Sequence, residues 1–293
     1  MPSIPGFPTP GRNAPFPSVA EIVTLTSFDV ASQSNTISLH GTATAINPAP
    51  LNLDFYGPSL PFEVSIMDLT NSSQLPVHVA SVTTLPFILT HPNITFSIQG
   101  TVPPISASAF PVLSKFISRY LSAQPNTVLI SSPLLFPDIS AEATFPSPNP
   151  RPNILRNVTI KNMKIKPLSG SFLASGTVKA RVVLPKGIHV GLDVFRVLPD
   201  VLVFDGEVPS TPPYRDHWHP DQPPPETPLP DPLPERAFGH IKPEDWLSSS
   251  CVPVEPDGDE GAAYSVSAKV VDVPLEVLPG RQKEFSNFVG KVH

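Results

Sequence analysis

Cysteine is almost missing from this chain: Cys251 is the single one among 293 residues. An internal disulfide framework is therefore excluded, and cysteine usage says nothing about redox compartment. Charge is also thin, with 15 % Asp, Glu, Lys and Arg together and a formal net charge of −6. No two Lys or Arg are adjacent, which argues against a surface that tracks phosphates, so nucleic acid is not expected as a direct partner. Long apolar runs are absent too. The longest, such as Leu85-Pro86-Phe87-Ile88-Leu89, are strand-sized and far below the roughly 18 residues of a membrane-crossing helix. Residues 1–18 are broken by repeated proline and contain no apolar core of a signal peptide.

Motifs that carry chemistry are missing as well. There is no Gly-x-Ser-x-Gly elbow, no phosphate-cradling glycine loop, no His-Glu-x-x-His helix and no dinucleotide fingerprint. His217-Trp218-His219, flanked by Asp216 and Asp221, is the one cluster of ligand-type residues, and it sits in a Pro-rich loop rather than on an ordered frame, so its members read as polar side chains facing solvent. The expectation is a protein that is not an enzyme, with no catalytic residues, no metal and no cofactor. Cys251 is expected to be a buried or half-buried structural thiol.

What the chain has in excess is proline, 42 residues against 15 glycines. Proline blocks helix interiors, while Ser, Thr, Val, Ile and Leu suit a pleated, half-buried surface, so the fold is expected to be mainly β. Candidate strands run over Ile22–Val30, Thr36–Ile46, Leu51–Tyr56, Leu60–Met67, Val77–Thr84 and Ile94–Val102. Turn residues such as Asn47-Pro48, Gly57-Pro58 and His91-Pro92-Asn93 separate them. One helix interrupts the pattern, from Ser108 as N-cap to Gln124. Its apolar stripe is Phe110, Leu113, Phe116, Ile117, Tyr120 and Leu121, with Lys115 and Arg119 turned the other way. Those six residues are candidates to line a groove beneath a helical lid. Further on, Tyr264–Val277 reads as strand and Arg281–Lys291 as a closing helix with Phe285, Phe288 and Val289 on one face.

An internal repeat organises these elements. Val23-Thr24-Leu25-Thr26-Ser27-Phe28-Asp29-Val30 matches Val158-Thr159-Ile160-Lys161-Asn162-Met163-Lys164-Ile165 in hydrophobic phase at an offset of 135. His40-Gly41-Thr42-Ala43 aligns with Ser175-Gly176-Thr177-Val178 at the same offset without a gap. Leu53-Asp54-Phe55 then falls opposite Leu192-Asp193-Val194 after a small insertion. Two copies of one β unit are implied. The expected arrangement is a Pro-rich lead over 1–18, a first β unit over 19–105, a linking helix over 106–126, and a second β unit over 127–293. The second unit would contain a Pro-rich insertion over 207–235 and end in the C-terminal helix.

Three sequons, at Asn71, Asn93 and Asn157, fit the N-glycosylation pattern and point to the lumenal or extracellular side of a membrane. A targeting segment or anchor would then lie outside this chain. The Pro-rich stretch from Pro209 to Pro234 is a candidate contact for protein partners. Asp245-Trp246 beside Gly239-His240-Ile241 is either a surface recognition patch or a Trp that anchors a loop.

The Gly41-Thr42-Ala43-Thr44 and Asn47-Pro48 run, repeated as Gly176-Thr177-Val178, resembles the late-embryogenesis-abundant type 2 domain, in its β-sandwich or half-barrel form. The wording Phe116-Ile117-Ser118-Arg119-Tyr120-Leu121-Ser122-Ala123-Gln124-Pro125-Asn126 and Val273-Pro274-Leu275-Glu276-Val277-Leu278-Pro279-Gly280-Arg281 is similar to fungal vacuolar-membrane proteins. That group includes the yeast termination-of-autophagy protein, and some relatives are labelled pre-rRNA processing proteins. The resemblance covers the chain from about Ser18 onward. It implies a vacuolar membrane protein with a membrane helix and tandem lumenal type 2 domains, of which this chain would be the last pair, with a part in autophagy regulation. It also implies lipid or a membrane surface as a partner, and carries no individual binding residue.

Overall fold

The computed structural model describes residues 23–33, 36–47, 56–67, 75–132, 136–168, 171–206, 229–230 and 232–292. The chain is mainly β and divides into two units. The first extends to Pro152 and takes in Pro185–Gly191; the second comprises Asn153–Leu184 and the chain from Leu192 onward. This boundary corrects the one expected at the helix over 106–126. The two strands after that helix pair back into the first unit, so the helix sits inside that unit and does not link it to the next.

In the first unit, β1 (Val23–Gln33), β2 (Thr36–Ile46), β3 (Tyr56–Gly57), β4 (Pro61–Ile66), β5 (Val77–Thr84), β6 (Phe87–Ile88) and β7 (Asn93–Val102) precede α1 (Phe110–Leu121). Then come β8 (Asn126–Ser132) and β9 (Phe136–Phe145), while β12 (Ile188–His189) returns later to pair in parallel with β1. The main sheet has the order β12-β1-β2-β7-β5-β4-β8-β9, and β3 with β6 forms a separate short ribbon.

That sheet curls strongly. β1 and β9 are six strand steps apart, about 29 Å if the sheet were flat at ~4.8 Å per step. Yet Phe28 of β1 meets Phe145 of β9 edge to face, with ring centroids 5.1 Å apart. The interior of the curl holds Ile66 and Val128, with Val64, Val77, Val79, Ile130, Ala143 and Phe145 around them. The helix α1 lays Val112, Leu113 and Phe116 on this cluster.

The second unit contains β10 (Leu155–Leu168), β11 (Ser171–Val183), β13 (Arg196–Val197), β14 (Val201–Phe204), β15 (Ala237–Ile241), β16 (Leu247–Val254), β17 (Ala263–Val277) and α2 (Gln282–Val292). β17 is its axis. One edge of β17 pairs with β11 along almost its whole length; the other takes β16 along its first half and β15 at its end. One face of this sheet is apolar. Ala174, Val178, Val270, Val273 and Leu275 pack with Phe238 and Ile241, and α2 covers them with Phe285, Phe288 and Val289. A second cluster at the other end joins Val182, Tyr264 and Val266 to Leu192, Val194, Val197 and Cys251.

The hairpins β1–β2 and β10–β11 share one register. Adding 135 to the pair Leu25↔Ala43 gives Ile160↔Val178, and adding it to Val30↔Leu39 gives Ile165↔Ala174; both pairs exist. Each hairpin also has a bulge within its first strand, between Leu25 and Ser27 in one and between Lys161 and Lys164 in the other, so the pairs between these points are offset by one position. A glycine faces the bulged strand in both. A Cβ on Gly41 would sit 2.9 Å from the Ser27 carbonyl oxygen, and one on Gly176 would sit 3.1 Å from that of Lys161. In β10 the extra residue is accommodated by Asn162 at φ 53°, a left-handed conformation that asparagine tolerates better than most residues.

Valine is favoured over glycine in strands by up to about 1 kcal/mol, so propensity alone predicts that Gly41→Val stabilises. The close carbonyl predicts the opposite sign, a loss of about 1–3 kcal/mol from overpacking. Urea unfolding followed by amide exchange in β1 and β2 reads the difference.

Candidate binding surfaces

The helix α1 begins where Pro111 can occupy its first turn, a position whose missing N–H is harmless. Ser108 does not cap it. Ala109 holds the N-cap position without a side-chain bond, and the Ser108 hydroxyl lies 3.0 Å from that of Ser106. At the far end the helix stops at Leu121, and Ala123 turns at φ 59° as the Gln124 amide donates to the Arg119 carbonyl.

Of the six residues expected to line a groove, Leu113, Phe116, Tyr120 and Leu121 are half-buried, whereas Phe110 and Ile117 are 55 % and 45 % exposed. Val112, absent from the expected stripe, is the buried one. The stripe is therefore rotated, with Val112, Phe116 and Tyr120 one above another at successive i, i+4 steps and Leu113 beside them. Phe116 and Tyr120 close on Phe145 at ring distances of 5.5 and 5.8 Å, the same ring that meets Phe28. Burial raises the Tyr120 phenol pKa above its ordinary value. Lys115 and Arg119 do not point away from the sheet as expected; they line a recess together with Met67, Val112, Phe116, Asn126 and Thr127. Arg119 donates to the Pro125 carbonyl at 2.9 Å, and the Asn126 side-chain amide to the Phe116 carbonyl at 3.1 Å. The recess has a volume of about 10 Å³, room for one water and none for an acyl chain.

Two of the three sequons can be placed. Asn93 opens β7 and Asn157 lies on β10 at φ 51°, and both are exposed. Asn71 lies outside the described residues, as do the candidate strand over Leu51–Phe55, the cluster His217-Trp218-His219 and most of the Pro-rich insertion. Cys251 is half-buried, with its thiol 3.3 Å from the Leu192 carbonyl. Trp246 does not anchor a loop: it is 62 % exposed. His240, beside it in the sequence reading, is instead a mostly buried ring whose Nε2 lies 2.6 Å from Asp200. Among the described residues no group of three or more His, Cys, Asp or Glu could hold a metal.

The face of the second unit that is not apolar carries Ser175, Thr177, Lys179 and Arg181 on β11, which alternate with the buried Ala174, Val178 and Val182. Strand register aligns further polar residues with them: Lys161 opposite Thr177, Thr177 opposite Lys269, and Lys179 opposite Ser267. At one margin Arg181 reaches Glu260 at 2.9 Å and Asp257 at 3.1 Å, and Arg156 joins the same Glu260 carboxylate. At the other margin Asp272 accepts from Lys166 and from Ser175, each at 3.0 Å. Adjacency of lysines in the sequence could not reveal this surface. Lys161, Lys179 and Lys269 span more than a hundred positions, and only the register of three strands brings them to one face.

Compared with family models, with curated proteins and with solved structures, the chain matches none. No helix among the described residues is long and apolar enough to cross a membrane.

The Glu260 carboxylate titrates below the ordinary glutamate range, first because the Asp257 amide donates to it and then because Arg181 does. A lowered pKa in the folded state means that this stabilisation is full above the unfolded pKa and is lost as pH falls through the folded one. Glu260→Gln should therefore lower the unfolding midpoint at pH 7, and the gap to the unaltered protein should shrink toward zero below the glutamate range. Thermal unfolding across a pH series checks this.

Proposed function

We propose that the chain is a non-enzymatic binding and interaction module, built of two late-embryogenesis-abundant type 2 units, on the lumenal side of the vacuolar membrane with a part in autophagy regulation. The observation that carries the duplication is the common register of the two hairpins on both sides of their bulges. A chance likeness of two alternating patterns would reproduce hydrophobic phase but not the same strand pairing on both sides of a bulge. Support for the lumen comes from Asn93 and Asn157, which are both exposed, as a glycan acceptor must be.

A protein-interaction role draws on β10. This strand is 14 residues long, ends its sheet and has mostly exposed side chains. Free strand edges are templates for pairing with another chain. The lumenal placement has a direct check. In fungal cells producing the native protein, glycosidase treatment should lower its apparent mass, and Asn93→Gln and Asn157→Gln should each remove one glycan step. A protein whose mass does not change on treatment would end the lumenal reading.

A second reading, lipid binding beneath α1 as a lid, is favoured by the modest hold on the helix. Val112 is its one buried side chain, while Phe110 and Ile117 already face water. With so small a recess, an acyl chain could enter only after α1 lifts, and each buried methylene would return about 0.8 kcal/mol. The double change Phe116→Asp and Tyr120→Asp discriminates. A lid predicts a folded protein with altered uptake of a fluorescent fatty acid; a core helix predicts a first unit that unfolds, seen as loss of amide protection in β4 and β8.

A further inference from the structure

One row of side chains crosses five strands of the second unit. Lys161 on β10 lies opposite Thr177 on β11, and Thr177 lies opposite Lys269 on β17. Ser249 of β16 pairs with Ala268, so Ser248 falls beside Lys269, and Ser248 in turn pairs with Arg196 of β13. Lys179 stands in the next row, two residues along β11. Lys161, Lys179, Lys269 and Arg196 are all exposed, and none has a carboxylate at ion-pair distance among the described residues. In a chain with six more acidic than basic charges, the carboxylates of this face collect at its margins, on Arg156, Arg181 and Lys166, and leave its centre cationic.

Edge protection explains only part of this arrangement. Lysines on an exposed edge strand hinder unwanted pairing, which accounts for Lys161 on β10. It does not account for Lys179 or Lys269, because β11 and β17 are interior strands of the sheet. Cations about two strand steps apart, ~10 Å, repel one another unless something anionic lies over them.

We propose that this face of the second unit docks on an anionic phospholipid surface. The uncovered lysines supply attraction to headgroup phosphates and carboxylates, and their long stems let the ammonium groups reach a common plane despite the twist of the sheet. Apolar side chains are exposed among the cations. Trp246, immediately before β16, is 62 % exposed, and Val252, on the same side of β16 as Ser248, is 53 % exposed. An exposed Trp two residues along the chain from Ser248 of this row suits the headgroup level of a bilayer, where an amphipathic ring has both an apolar and a wet side. A nucleic acid would be served by several stacking aromatics along a groove, and the row Lys161, Thr177, Lys269, Ser248 and Arg196 contains none. The proposal names the surface through which the module of the preceding subsection would meet its membrane and rests on that reading. Its test uses purified protein and no glycan, so it can fail while the lumenal placement stands, and the reverse.

The test is flotation of the full chain with phosphatidylcholine vesicles containing about a third phosphatidylserine, against pure phosphatidylcholine, at low and at tenfold higher salt. Binding is expected to the anionic vesicles at low salt and to fall at high salt. Each lysine neutralised should weaken it roughly fivefold, so Lys161→Gln, Lys179→Gln and Lys269→Gln together should weaken it roughly a hundredfold. Lys283→Gln on α2, away from this face, should change nothing. Circular dichroism reports whether the triple variant is folded, and Trp246→Ala, at an exposed site, gives a second variant expected to weaken binding with the fold intact. Equal binding to neutral vesicles, or a folded triple variant that floats as well as the unaltered chain, overturns the proposal. So does protein that ignores the vesicles but binds polyuridylate.

Discussion

In both units a backbone carbonyl of the first strand comes close to a glycine of the second, leaving little or no room for a side chain there. Ser27 reaches toward Gly41, and Lys161 toward Gly176, at the point where each first strand gains an extra residue. Because side chains alternate with period two, a slip of one residue would turn every apolar residue of β2 or β11 to the other face. The bulge with its facing glycine fixes that phase. In the second unit it puts Ala174, Val178 and Val182 inside, and Thr177, Lys179 and Arg181 outside. The apolar core under α2 and the cationic face above it are therefore two results of one register.

In the first unit the register has a different consequence. Phe28 follows the bulge of β1 and Phe145 ends β9, so the two rings can meet only if the sheet between them curls. Phe116 and Tyr120 of α1 complete the aromatic group around Phe145. The helix thus fills the open side of its own curled sheet, and the recess beside it has room for about one water. A permanently open apolar groove does not follow from a curled sheet and an amphipathic helix alone, because the same stripe that makes the helix amphipathic closes the gap.

Much of the β framework was legible in the amino-acid sequence, because it rests on local signals. Thr36–Ile46 and Val77–Thr84 are strands with the bounds expected from their alternation, and the 135-residue offset reappears as shared strand register. The helix was found but rotated. Pro111 and the turn at Ala107–Ala109 shift its start, and a stripe drawn through Phe110 and Ile117 misses Val112. The boundary between units was misplaced for a related reason: which way β8 and β9 pair is decided by contacts with β4, more than sixty residues earlier. The cationic face was invisible to a search for adjacent basic residues, since in a sheet the neighbour of Lys179 is Ser267 rather than Ala180.

The bulged strand β10 brings the lumenal and membrane-docking ideas into contact with one another. Asn157 sits on it at a second register shift, four positions before Lys161. A glycan there would stand at the free edge of the sheet and shield the nearest part of its cationic face. Lys269 and Arg196 lie two and four strands further in, about 10 and 19 Å away. A membrane approached by this face would then be met mainly through the β17, β16 and β13 side, where Trp246 is also exposed. The glycan would at the same time keep the long edge of β10 from pairing with other chains, so one modification would both orient the docking and suppress the competing use of that strand.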